Sequence, residues 1–143
     1  MKFFEYTIYG YVLYYLSILL HELFHYLAAF ILKIRIEQLR IGDELYALRI
    51  GRVSLSPLLI FTSYVVVDTD VFKDMNKKSL IFFFMSGSIA NLLLAILGFI
   101  LMFKDIAMGN ILLYLNVACL IFNLVPYIFY GNDMTKLIKF LKS

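Results

Sequence analysis

The chain is short of charge. Asp, Glu, Lys and Arg together make up 16% of its 143 residues, where a soluble domain carries about a quarter. There is too little polar material to cover a water-facing surface. Two prolines and seven glycines exclude disorder, collagen-like repeats and flexible linkers. A single cysteine excludes a disulfide scaffold and any cysteine-only metal site. What remains is apolar: 63% hydrophobic residues, 17% aromatic, mean hydropathy +0.88. This is the composition of a small integral membrane protein, with the lipid bilayer as its first partner. The formal charge of +3 does not point to nucleic acid, because the basic residues flank apolar segments and form no basic face.

Three apolar runs each exceed the ~20 residues a helix needs to cross hydrocarbon. They are Tyr6 to Leu32, Leu80 to Phe103, and Ile106 to Tyr130. The first is too long for a signal peptide, lacks a small-residue cleavage site, and is interrupted by His21, Glu22 and His25. Val53 to Val67, 15 residues containing Pro57, is too short for a span and reads as a re-entrant or interfacial piece. Between Ile34 and Val53 apolar and polar residues roughly alternate around Gly42-Asp43, which predicts a β-hairpin turning there. The expected fold is thus an all-α polytopic membrane protein in one domain, residues 1–143. It has three transmembrane helices and a small β-hairpin or sheet, within about 34–67, between the first two.

The basic residues orient it. With three spans, the 33–79 connection and the tail hold eleven lysines and arginines, against Lys2 and Lys104 opposite. Positive residues stay inside, so the amino terminus is expected outside and the connection and tail in the cytoplasm.

His21-Glu22-Leu23-Phe24-His25 is an HExxH pattern. On a helix, residues four apart share a face, so both imidazoles can reach one metal ion, and the adjacent glutamate can take a proton from a water held there. Both of the chain's histidines and one of its four glutamates fall in this pattern, an arrangement expected by chance roughly once in two thousand such compositions. Ionisable groups in a membrane helix are costly and mark function. A catalytic Zn²⁺ takes three protein ligands and keeps one open position. His25 precedes Lys33 by eight residues, ~12 Å of helix, which puts the site near the cytoplasmic edge. Asp133 is the only carboxylate after Asp105, and topology nominates it as third ligand. Its alternative reading is an N-capping aspartate after a Gly-Asn turn.

These residues, in this order, resemble the site-2 protease family of intramembrane zinc metalloproteases (peptidase family M50). Ser86-Gly87-Ser88-Ile89-Ala90-Asn91 looks like the family's Gly-Pro-x-x-Asn stretch, with serine replacing proline. Asn123-Leu124-Val125-Pro126 and then Asp133 are similar to its Asn-x-x-Pro element leading to Leu-Asp-Gly, although Asn132 and Met134 replace the flanking residues. The resemblance implies a zinc-dependent endopeptidase in minimal core form. His21, His25 and Asp133 would hold Zn²⁺, Glu22 would be the catalytic base, and Asn91 would position substrate or stabilise an oxyanion. Asn91 reads equally as a helix–helix hydrogen bond. Asn123 and Pro126 would break the third helix, and Gly87 and Ser88 would allow close helix approach. The substrate class is a membrane-anchored protein or peptide; an accessory regulator or a homo-oligomer is a further partner class. The expected location is a prokaryotic cell membrane. The competing function is a proteolytically inactive protein that binds metal or a partner on the same scaffold, and Glu22 separates the two.

Overall fold

The computed structural model describes residues 2–43, 46–57, 63–68, 70–104, 106–126 and 132–142. The apolar runs become helices. α1 is Lys2–Ile31, and after the sheet and a short α2 (Asp70–Lys73) come α3 (Lys77–Phe103), α4 (Met108–Leu124) and α5 (Asp133–Lys142). α3 packs along both α1 and α4. Asn76 caps α3, its side-chain oxygen accepting from the Ser79 amide at 2.9 Å. α1 ends where Lys33 takes a left-handed conformation (φ 57°) and the Ile34 amide donates back to the Ala29 carbonyl at 2.8 Å. That turn directs the chain into the sheet.

Two helices, Phe4–Ile31 and Lys77–Phe103, are long and apolar enough to cross a membrane. Along them large side chains such as Tyr9, Val12, Leu92, Leu93, Ile96 and Phe99 are exposed, a surface suited to lipid rather than water. α4, at 17 residues, is shorter than the third span read from sequence. It stops because Pro126 disfavours helical geometry in the residue before it, and Val125 is extended (φ −85°, ψ 111°). The last four residues of that expected span, 127–130, lie outside the described residues, as does Gly131.

The sheet differs from the expected hairpin. β1 (Ile36–Ile41), β2 (Leu48–Ile50), β3 (Val53–Leu55) and β4 (Ser63–Val67) form one sheet in the order β2-β3-β1-β4. Gly42 does turn the chain (φ 83°), but the strands on either side of it do not pair. β1 instead pairs in parallel with β3, Leu39 opposite Val53, and antiparallel with β4, Leu39 opposite Val65. The hairpin is β2–β3, reversed at Gly51 (φ 60°). Burial explains the choice. Ile36, Leu39 and Ile41 are buried and Leu48 and Ile50 exposed, so β1 takes the central place and β2 the rim. The Val53–Val67 stretch therefore contributes two strands rather than a re-entrant piece at its described ends; residues 58–62 lie outside the description.

The core gathers at one end of the helices. Ala28 and Ala29 of α1, Ile36 and Val67 of the sheet, Phe72 of α2, Phe83 and Phe84 of α3 and Leu137 of α5 pack together. Phe72, Phe83, Phe84 and Phe140 form a ring cluster with centroids 5.1–5.9 Å apart. The cluster reaches His25, whose ring lies 5.5 Å from that of Phe83.

Candidate metal centre

His21, Glu22 and His25 are each at least 92% buried. Their helix delivers both imidazoles to one point. His21 Nε2 and His25 Nε2 are 3.2 Å apart, and Asp133 Oδ2 lies 3.2 Å from the first and 3.1 Å from the second. Ligands of a tetrahedral zinc, at ~2.0–2.1 Å from the metal, stand about 3.3 Å from one another. Two nitrogen lone pairs and a carboxylate oxygen this close need a cation or shared protons between them. The space is provided by Gly87. A Cβ there would fall 2.4 Å from His21 Nε2 and 2.5 Å from His25 Nε2, so only glycine leaves room beside the converging nitrogens. Donor chemistry, spacing and this cradle all fit Zn²⁺.

Each imidazole is also held from behind, at the nitrogen that does not face the cluster. His25 Nδ1 lies 2.9 Å from the Phe83 carbonyl and 3.0 Å from Ser86 Oγ, and that hydroxyl itself donates to the same carbonyl at 2.7 Å. A carbonyl can only accept, so Nδ1 carries the proton and the Nε2 lone pair is free for a metal. His21 Nδ1 lies 3.1 Å from the Asn91 amide nitrogen, while Asn91 Oδ1 is buried and unpartnered. A half-turn of the amide brings Oδ1 to accept from Nδ1–H, which repeats the His25 arrangement. Asn91 thus makes a helix–helix contact, and the contact is with a histidine of the candidate metal cluster.

The capping alternative for Asp133 does not hold, because Asn132 is the cap. Its Oδ1 accepts from the Thr135 amide at 2.9 Å. Its Nδ2 donates to the Phe122 and Val125 carbonyls, each at 2.8 Å, tying α5 to the end of α4. Asp133, freed from capping, sits in the first turn, where the helix dipole favours an anion. Burial by itself pushes its carboxyl up, but the His21 and His25 rings against Oδ2 outweigh that whenever they carry an Nε2 proton, as metal-free imidazolium would, and hold it well below the usual carboxylate range. Asn123 has no side-chain hydrogen bond among the described residues; Pro126 suffices to end α4.

Glu22 stands outside the ligand triangle. Its Oε1 accepts from Ser63 Oγ at 2.9 Å, and it lines a cavity of about 420 Å³ with His25 and Asp133. Ser63 carried no signal in the sequence. One turn along α1 from His21, Ser17 Oγ accepts from Asn116 Nδ2 at 3.0 Å, both residues being buried. The Ser17-His21-His25 spacing, and Asn116 as one of three asparagines in the third apolar run, were the signals available for that pair.

The family model for peptidase family M50 matches residues 9–108. The chain belongs to this family, that of the site-2 proteases. The matched region includes the HExxH helix, the sheet and Gly87 to Asn91 but ends before Asp133, which the fold brings against His21 and His25. M50 membership makes the chain metalloprotease-like at family level. Neither the curated proteins nor the solved structures returned a match.

Proposed function

We propose that this M50 protein is an intramembrane zinc endopeptidase that hydrolyses a peptide bond of a membrane-anchored protein or peptide in or near the bilayer. The observation that carries the reading is the 3.1–3.2 Å triangle of His21, His25 and Asp133 with Glu22 beside it in the same cavity. Zn²⁺, when bound, supplies Lewis acidity that makes water a nucleophile near neutral pH and polarises a carbonyl. The chain's residues do the rest. Glu22 accepts the proton of the attacking water at a carboxylate oxygen and delivers it to the leaving amine. Ser63, donating to Oε1, fixes the carboxylate for both transfers. Asn91, Ser86 and the Phe83 carbonyl hold the imidazoles in one tautomer and are positioning groups.

Helical substrate must unwind to present its backbone. The edge of the sheet suits this. β2 is one edge and lies three strands from β4, ~14 Å at ~4.8 Å per strand. β4 is the other edge, and its residues line the cavity beside Glu22. An extended substrate segment would add to β4.

Eleven basic residues on one side support an orientation with the site near the cytoplasmic face, and α4 with the segment after it supports a third span. Metal content and peptide cleavage, compared for the wild type and Asp133→Ala, test the reading. Loss of both together is the expected result; cleavage without metal would refute it.

A further inference from the structure

The cavity beside Glu22 is mostly apolar, yet two cations line it: Lys136 and Lys139 of α5. Its two anions, Glu22 and Asp133, are already engaged by Ser63 and by the imidazole pair. Neither lysine has an ion-pair partner among the described residues. Lys142, on the same helix, does not line the cavity. Two lysines without an ion-pair partner among the described residues therefore line the cavity beside the sheet edge to which an extended substrate would add.

Spacing says where that charge is read. Lys136 and Lys139 lie three and six residues beyond Asp133, ~4.5 Å and ~9 Å along the helix. An extended substrate advances ~3.3 Å per residue. Resting on the protease reading above, we propose that Lys136 and Lys139 are specificity-determining residues that bind a peptide carboxylate about one to three residues from the scissile bond. The carboxylate is that of an acidic side chain or of the substrate's free carboxyl terminus. The proteolytic machinery thereby prefers apolar segments that end in, or run into, negative charge.

The test uses the full chain in detergent micelles, loaded with zinc. The Glu22→Gln protein is titrated with fluorescein-labelled, carboxyl-amidated apolar peptides in which one Glu, Gln or Lys is walked across the central positions. A second set carries a free carboxyl terminus at the same distances and separates the two carboxylate sources. At low salt the Glu peptides should bind about three- to tenfold tighter than their Gln counterparts, the size expected for one or two solvated ion pairs, and high salt should erase the difference. The preference should vanish in Lys136→Gln/Lys139→Gln, persist in Lys142→Gln, and invert towards Lys peptides in Lys136→Glu/Lys139→Glu. The inversion cannot come from misfolding.

Absence of a Glu preference, its survival in the double Gln variant, or equal loss in Lys142→Gln would overturn the proposal. So would an effect of the double variant on phosphatidylglycerol vesicle binding alone, which would assign the lysines to the lipid surface. Wild-type cleavage of the same peptides separates this inference from its premise. Lysine-dependent binding with no cleavage leaves the carboxylate site standing and removes the protease reading. Cleavage without charge preference does the reverse.

Discussion

Gly87 and His21 meet so closely that a Cβ on the first would lie 2.4 Å from Nε2 of the second. The same Cβ would also crowd His25 Nε2 at 2.5 Å, so α3 reaches the two converging nitrogens without a side chain between. In Gly87→Ala the rings or the helix must move, at about 1–3 kcal/mol for an overpacked site. Zinc per protein, measured by mass spectrometry after dialysis against a weak chelator, should fall by roughly tenfold or more. Undiminished zinc would mean that the cradle is not where the ion sits.

Asn91→Leu tests the support behind His21. It removes the acceptor for Nδ1–H while keeping similar bulk, and loss of such a partner weakens metal binding by about 10–100-fold. Asn91→Asp keeps an oxygen at that place and should restore most of the affinity. An oxyanion role predicts the opposite pattern, with zinc binding intact and turnover lost in both variants.

Ser63→Ala removes the hydroxyl that donates to Glu22 Oε1. One hydrogen bond to a charged group contributes ~1.5–3 kcal/mol, so kcat should drop by about ten- to a hundredfold. Zinc content should not change, because Glu22 is not in the ligand triangle. A fall in zinc content alongside kcat would place Glu22 among the ligands.

Asn132→Ala removes the α5 cap and both links to the end of α4. Loss of a cap costs about 1 kcal/mol; the larger effect expected is on Asp133, which loses its fixed place. Asn132→Ser keeps the acceptor for the Thr135 amide but not the two donations, so its zinc affinity should fall between wild type and Asn132→Ala. Equal affinity in all three would show that the link to α4 does not position the ligand.

How much of this was legible in the sequence depends on the range of the interaction. α1 and α3 were readable because continuous apolar runs report their own burial environment. His21, Glu22 and His25 were readable because a helix fixes their spacing locally. Asp133 is 108 residues from His25, and topology nominated it without distinguishing ligand from cap. That needed Asn132, whose side chain takes the cap. Strand pairing was the part that failed. Alternation marks a strand but not its neighbour, and β1 chose β3 and β4 because its buried face needed partners on both sides. Ser63 was invisible for the same reason, as only the sheet brings it to a glutamate 41 residues away.

The central claim is that Glu22 moves the proton while His21, His25 and Asp133 hold the metal. Glu22→Gln separates these roles in a single protein, because it keeps the side chain's shape and removes its basicity. Zinc content and cleavage of a membrane-anchored peptide, measured on the same preparation, should show zinc at the wild-type level and cleavage lowered by at least about a hundredfold. Cleavage persisting at the wild-type rate with zinc bound would contradict the account.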